Sequence, residues 1–329
     1  MAGRHETKEH VVTDGERVVD LLLELRDMPE QRIQIHLDCL VRSTQMFHRN
    51  YLELKRHLDY CEKDPGNQDL WHMHAIRKKE SLATEAWRLL HNFIASAFAL
   101  VDHTRVVYRT LNREGEFPEY QERVDASFVS NRLARFVQDL RNYVVHTGGG
   151  VLHLEGPIDI KTGHADIQLK LKTNELLRWS GWNAQAKDFI TSAGDYIHIA
   201  DVVREYHATV RDFHIWYGER QREVRSADLE RLRHKETKYW LLVLRERLDR
   251  FESSPSEAAA GESGLFIGLL DYSDYEELEK LPFRSTERVD LALNKLQERL
   301  PLPADLCDRI RVAYQLPGFA PSARDTPSS

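Results

Sequence analysis

A chain of 329 residues, 41% hydrophobic and 30% charged, holds enough apolar material for a sizeable core and enough charge to keep a surface solvated, which excludes a disordered polypeptide. The formal net charge of −7 provides no protein-wide field for nucleic acid, so any polyanion has to be held by a local patch. Cys39, Cys61 and Cys307 lack C-x-x-C spacing, which argues against a disulfide framework and a thiolate zinc site and fits a reducing compartment. The opening MAGRHETKEH has no apolar stretch of the secretory kind, and the longest apolar run, Phe93 to Val101, is interrupted by Ser96 and too short for a bilayer. A cytoplasmic protein with no membrane partner is expected.

Thr13 and Glu16 form a capping box ahead of an amphipathic helix over 13–26. Apolar residues at Ile33, Leu37, Leu40, Phe47, Leu54 and Leu58 predict a long helix from Glu30 to about Lys63, stopped by Asp64-Pro65-Gly66-Asn67. A second long helix is predicted from Gln68 to Arg113, with no internal glycine or proline. After the turn NREGEFPEY, one apolar stripe runs through Val124, Phe128, Val129, Leu133, Phe136, Val137, Leu140 and Val144, on a helix that Gly148, Gly149 and Gly150 end.

Leu152 and Leu154 then answer Ile167, Leu169 and Leu171 at a spacing of two, the signature of a β-hairpin at about 150–172. Helices are expected at about 174–179, from Trp182 to about Arg222 as one element, and over 226–251. The polar stretch 253–264 reads as a linker. Ser273 with Glu276 reads as a capping box, STERVDLALNKLQERL as an amphipathic helix, and 321–329 as a disordered tail. The fold class is mainly α: a multi-helix bundle with one β-hairpin insertion and a small C-terminal helical module. Its segments are N-terminal helices at 1–67, a helical core at 68–252, the linker, a module at 265–320 and the tail.

The segment QDLRNYVVHTGGG, 138–150, carries the strongest chemical signal. Each helical residue advances about 100°, so Asn142 and His146, four apart, share a face, and the projection groups them with Arg135 and Asp139 opposite the apolar stripe. Arg141 lies between the two faces, with a stem long enough to bring its guanidinium toward Asn142 and His146. Cleaving RNA by its own 2′-hydroxyl needs proton transfer to and from oxygen, which an imidazole performs, and charge stabilisation on a crowded phosphate, which a guanidinium performs. That chemistry requires no metal or other cofactor. One imidazole cannot be base and acid in the same step, so two chains packed about a two-fold axis would form one composite site, and homodimerisation belongs to the reading.

At RNYVVH the sequence resembles ribonuclease members of the HEPN superfamily, which carry an arginine, a polar residue directly after it and a histidine a few residues later at a helix end. The resemblance covers Gln68 to Thr147, with the helices up to about Arg222 as scaffold. It implies a HEPN-like helical core, a dimer with a composite cleft, and metal-independent RNA cleavage in toxin–antitoxin, abortive-infection or related antiviral defence, where an antitoxin or other regulatory partner restrains it. Arg141, Asn142 and His146 match the motif. The acidic residue that the family often adds from the preceding long helix is assigned to Asp102. The hairpin and the C-terminal module belong to no pattern of that superfamily.

Each residue also has a plainer reading. Arg141 pairs with Asp139 or Glu122, His146 is a cation favoured at a helix C-terminus, and Asp102 bonds His103 or an arginine. Arg42 with His48 shows that the bare arginine–histidine spacing also occurs in mid-helix, so it is the polar neighbour, the opposite stripe and the helix end that single out residues 141–146. Arg105 and Arg109, in a strip where basic residues outnumber acidic ones, are candidate RNA contacts, although such charges usually form a solvated face. Asp69 with His72 and Asp195 with His198 have the spacing of helical di-metal sites, and His198, Asp201 and Glu205 share a face, but the completing glutamates are missing and no metal is expected. The alternative to an enzyme is a non-catalytic HEPN-fold helical interaction or nucleotide-binding protein.

Overall fold

The computed structural model describes residues 14–64, 75–112, 117–147, 152–156, 167–253, 261–316 and 319. Thr13, the start of the second long helix with Asp69, His72 and His74, the three glycines and the tail at 321–329 lie outside the described residues. The fold is mainly helical with one small antiparallel sheet, as the periodicities require. Among the described residues, no helix is long and apolar enough to cross a membrane. The chain divides into two compact units, one of residues 33–226 and one of residues 227–329 together with the N-terminal segment to Arg32.

In the first unit, α2 (Pro29–Lys63, which begins in the other unit) and α3 (Ile76–Leu111) are the two long helices. Phe47 on α2 stacks on Phe93 of α3 at 5.1 Å, a buried aromatic contact in the middle of both helices. The single helix expected after the NREGEFPEY turn is divided into α4 (Glu119–Val124), a π-helical turn (Asp125–Val129) and α5 (Arg132–Thr147). The break has a local cause. The Ser130 N–H bonds Asp125 O at 2.8 Å, and the Asn131 side chain caps the new helix by accepting from the Ala134 N–H at 3.2 Å.

The hairpin is present as β1 (Leu152–Glu155) and β2 (Gln168–Lys172), with Leu152 opposite Leu171 and Leu154 opposite Leu169. The helix expected from Trp182 to Arg222 is instead α7 (Ala184–Ser192), which follows the short α6 (Thr173–Leu176), then a third strand β3 (Tyr196–His198) and α8 (Ile199–Val224). Gly194, at φ +77°, makes the turn that ends α7. Tyr196, Ile197 and His198 then pair antiparallel with β2, with Ile197 opposite Leu171. Leu152, Leu154, Leu169, Leu171 and Ile197 all face the core.

The other unit is organised by α9 (Ser226–Ser253), α10 (Gly261–Phe266), α11 (Tyr272–Leu278), α12 (Thr286–Arg299) and α13 (Ala304–Gln315). Ion pairs from Lys235 to Glu24 and from Arg231 to Glu30, the latter at 3.0 Å, join α9 to α1 (Asp14–Asp27) and to the first turn of α2. Two expectations are corrected here. The capping box is formed by Asp271 and Asp274 rather than Ser273 and Glu276, because the Asp271 carboxylate accepts from the Asp274 N–H and the Asp274 carboxylate accepts from the Asp271 N–H. The stretch taken for linker to residue 264 becomes helical at Gly261, because Glu262 has a buried partner.

Arg288, 1% exposed, donates to both carboxylate oxygens of Glu262, Nε to Oε1 at 3.1 Å and Nη2 to Oε2 at 2.7 Å, and Nη1 donates to Leu281 O at 3.1 Å. The Tyr314 hydroxyl donates to Glu262 Oε1 at 2.5 Å. Such a pair adds little over an apolar core of the same volume, but removing one member leaves a buried uncompensated charge. Arg288→Met is therefore expected to destabilise this unit by about 3–5 kcal/mol, read as a lower denaturant midpoint of its unfolding transition at unchanged slope. A loss under about 1 kcal/mol would show that the carboxylate finds water or a proton instead.

Candidate functional site

The last two turns of α5 are fixed in rotation by what their buried side binds. Phe136 stacks on Trp182 at 5.5 Å and on Phe189 at 4.9 Å, and Tyr143 stacks on Trp182 at 5.4 Å and meets Trp179 edge-on at 5.6 Å. The Trp182 Nε1–H donates to Leu176 O at 2.7 Å, which sets the indole. Burial of Phe136, Val137 and Leu140 supplies roughly 1.5–3 kcal/mol each. Gly181 runs so close to Trp179 that a Cβ there would lie 2.3 Å from the indole.

Asp139 belongs to this clamp. The projection grouped it with Asn142 and His146, but its carboxylate is buried and accepts from the Asn183 N–H at 2.7 Å. Asn183 is the N-cap of α7, so the carboxylate sits at the positive end of that helix. Arg135 also turns away, donating from Nη1 to Gln138 Oε1 at 2.6 Å.

What remains on the open side are Arg141, Asn142, Val145 and His146, all exposed. The Arg141 guanidinium carbon lies 4.7 Å above the ring centroid of Phe98 on α3, a cation–π contact worth about 0.5–1 kcal/mol at an exposed site. Neither Asp139 nor Glu122 is its ion-pair partner. Asn142 and His146 have no hydrogen-bond partner among the described residues, so their polar atoms face solvent one helical turn apart. A guanidinium held on a ring beside an exposed amide and an exposed imidazole can bind an anion and move a proton.

Asp102 lies one turn beyond Phe98 on α3, and its carboxylate is taken by Arg105 at 3.3 Å, both side chains being exposed. The Asp102 carboxylate is thus engaged by arginine, one of its two expected partners. His103 bonds Ser43 on α2. Arg109 is exposed in the last turn of α3. Phe98 was missed by sequence reasoning, as it is one apolar residue in an apolar run; only its position four before Asp102 marked it.

The residues with di-metal spacing have other roles. His198 donates from Nε2 to Glu62 at 3.0 Å and from Nδ1 to Asp201 at 3.0 Å, rather than meeting Asp195. Glu62 also accepts from the Leu169 N–H at 3.2 Å, a β2 donor just beyond the end of β3, so the cluster closes the sheet edge against α2. Among the described residues no group of three or more histidine, cysteine or acidic side chains is placed to hold a metal ion. No family model, curated protein or solved structure matches the chain.

Histidines at the seam of α2 and α8 titrate in the opposite sense to His198. Burial pushes His207, bonded to His48 at 3.1 Å and stacked on Tyr51, down to about 4, and burial likewise pushes His214 down to about 4. The hydrogen bond to Glu62 raises His198 above the ordinary imidazole value. Groups held neutral in the fold bind protons on unfolding, so the stability that His207 and His214 confer is complete above the ordinary value of about 6.5 and is lost as pH falls from there toward 4. The contribution of His198 is present below about 6.5 and fades as pH rises through its raised folded value. Denaturation of the full chain from pH 7 to 4 is expected to show falling stability, and His214→Leu should flatten that slope by about one proton; an unchanged slope would mean that His214 is already protonated in the folded state.

Proposed function

We propose that the chain is an endoribonuclease that cleaves RNA by attack of the 2′-hydroxyl on the adjacent phosphodiester, at a site composed from two copies of the chain. The observation that carries this reading is the joint exposure of Arg141, Asn142 and His146 at one helix end, while Asp139 and Arg135 of the same helix bond Asn183 and Gln138. Their agreement with the arginine–polar–histidine motif of HEPN ribonucleases supports it, as does a helical fold around a long helix that precedes the motif.

In the proposed reaction His146 of one copy takes the 2′-hydroxyl proton as the 2′-oxygen bonds to phosphorus, and the same residue of the other copy protonates the departing 5′-oxygen. Arg141 neutralises the charge on the pentacoordinate phosphate, its guanidinium kept in place by Phe98, and Asn142 orients the imidazole or a phosphate oxygen. The products are a 2′,3′-cyclic phosphate and a 5′-hydroxyl. Proton transfer and charge neutralisation are both supplied by side chains, so the mechanism requires no metal. Arg105 and Arg109 are proposed contacts for the flanking strand, and Asp102 a supporting residue whose pairing with Arg105 limits how far that arginine swings. A toxin or phage-defence role, restrained by a regulatory partner, is the setting this activity fits.

Incubation of RNA with the full chain in EDTA is expected to give cyclic-phosphate ends, with His146→Ala and Arg141→Ala each lowering the rate at least 10²-fold. Cleavage that is indifferent to both substitutions, or that the chelator abolishes, contradicts the assignment.

A further inference from the structure

Next to the open face of α5 the first unit has a partly open cavity of about 150 Å³, walled by α3, α4, α5, α8 and the π-helical turn. A cavity of that volume accommodates one benzene-sized ring. Its sides are aromatic: Phe98, Tyr120, Phe128 and Phe213 all line it, with Phe128 edge-on to Phe213 at 5.1 Å. Mixed with these faces are polar side chains, Arg135 and Gln138 of α5 beside Thr104 and Arg105 of α3 and His214 of α8. Arg135 Nε is buried with no hydrogen-bond partner among the described residues, and Gln138, whose Oε1 already accepts from Arg135 Nη1, presents its NH₂ group.

Aromatic side chains with hydrogen-bond donors among them describe a receptor for a flat heterocycle with acceptors on its rim. The site also abuts the proposed reaction centre. Gln138 precedes Arg141 and Asn142 by one helical turn, about 5.4 Å, and Phe98, which lines the cavity, is the residue that carries the Arg141 guanidinium. RNA is commonly read by bases splayed from the strand, stacked on aromatic side chains and bonded at their edges. π-helical turns, such as the one supplying Phe128 and the half-exposed Val129, often occur at functional sites.

We infer that this cavity binds a single pyrimidine base, through stacking on its aromatic walls and donation from Arg135 and Gln138 to the base's ring acceptors, and that it selects the nucleotide beside the cleaved phosphate. The second half of that inference rests on the ribonuclease reading; the first does not. The base can come from an RNA strand or from a free nucleotide.

The test has two arms on the full chain. Calorimetric titration of His146→Ala with UMP, CMP, AMP and GMP is expected to show at least tenfold tighter binding of the pyrimidine nucleotides, lost in Val129→Trp, which blocks the mouth from an exposed position, and in Gln138→Leu. Mapping of RNA cleavage by the unsubstituted chain is expected to place the cuts beside pyrimidines, with that preference relaxed in Val129→Trp. Pyrimidine-selective binding without any RNA cleavage supports the cavity assignment, identifies a free nucleotide as its ligand and overturns the nuclease reading. Cleavage without base preference, together with no discrimination among the four nucleotides, overturns the cavity assignment and leaves the nuclease reading standing.

Discussion

The rotation of α5 about its own axis is the constraint on which the candidate site depends. A helix with one apolar stripe can settle over a range of angles, but here the stripe is keyed on both flanks by groups that tolerate little rotation. Trp182 lies against Phe136 and Tyr143 two turns apart, and the Asp139 carboxylate meets a backbone N–H at the start of α7. A turn of a few tens of degrees would break the aromatic stack and strand a buried carboxylate, costing several kcal/mol by order of magnitude. The exposed set Arg141, Asn142, Val145 and His146 is therefore fixed by packing on the opposite side, and Phe98 then restricts the one long side chain in it.

Polar groups do similar work elsewhere. Glu62 satisfies a β2 backbone donor and His198 together, which anchors a three-residue strand too short to hold its own position. Within the other unit, Glu262 draws Arg288 and Tyr314 into one network beside the apolar cluster around Phe266, Leu293 and Ile310. In each case a carboxylate that is unremarkable in sequence defines where elements meet. Such groups stabilise little in themselves and specify much, because any other arrangement would leave them unpaired.

These are also the points at which the sequence was illegible. Elements with long periodic stripes, α2, α3 and the hairpin, were readable because hydrophobic spacing is a local property. The division of the 124–144 stripe was not, since it turns on one Asn131 cap and one i+5 bond that leave the spacing nearly intact. β3 was absorbed into a helix because three residues have no period; Gly194 was the available signal, and it was outweighed by the helical pattern on either side. Asp139 was placed on the wrong face because a projection knows nothing of Asn183, 44 residues later, and Glu262 was read as linker because its partners are equally remote. Of the candidate site, the trio itself was legible and its platform was not: Phe98 acquires meaning only from the approach of α5.

In the proposed reading, chemistry is spread over two chains: each helix end presents one guanidinium and one imidazole, neither sufficient by itself, and the aromatic cavity beside them chooses the nucleotide. The most direct measurement is oxidative cross-linking of Val145→Cys, a position 65% exposed beside the trio, in a chain whose half-buried Cys39 is replaced by serine. If two α5 ends face each other across a symmetry axis, a covalent dimer forms rapidly at micromolar chain concentration. A chain that remains monomeric under those conditions, and in sedimentation through the same range, contradicts the composite site.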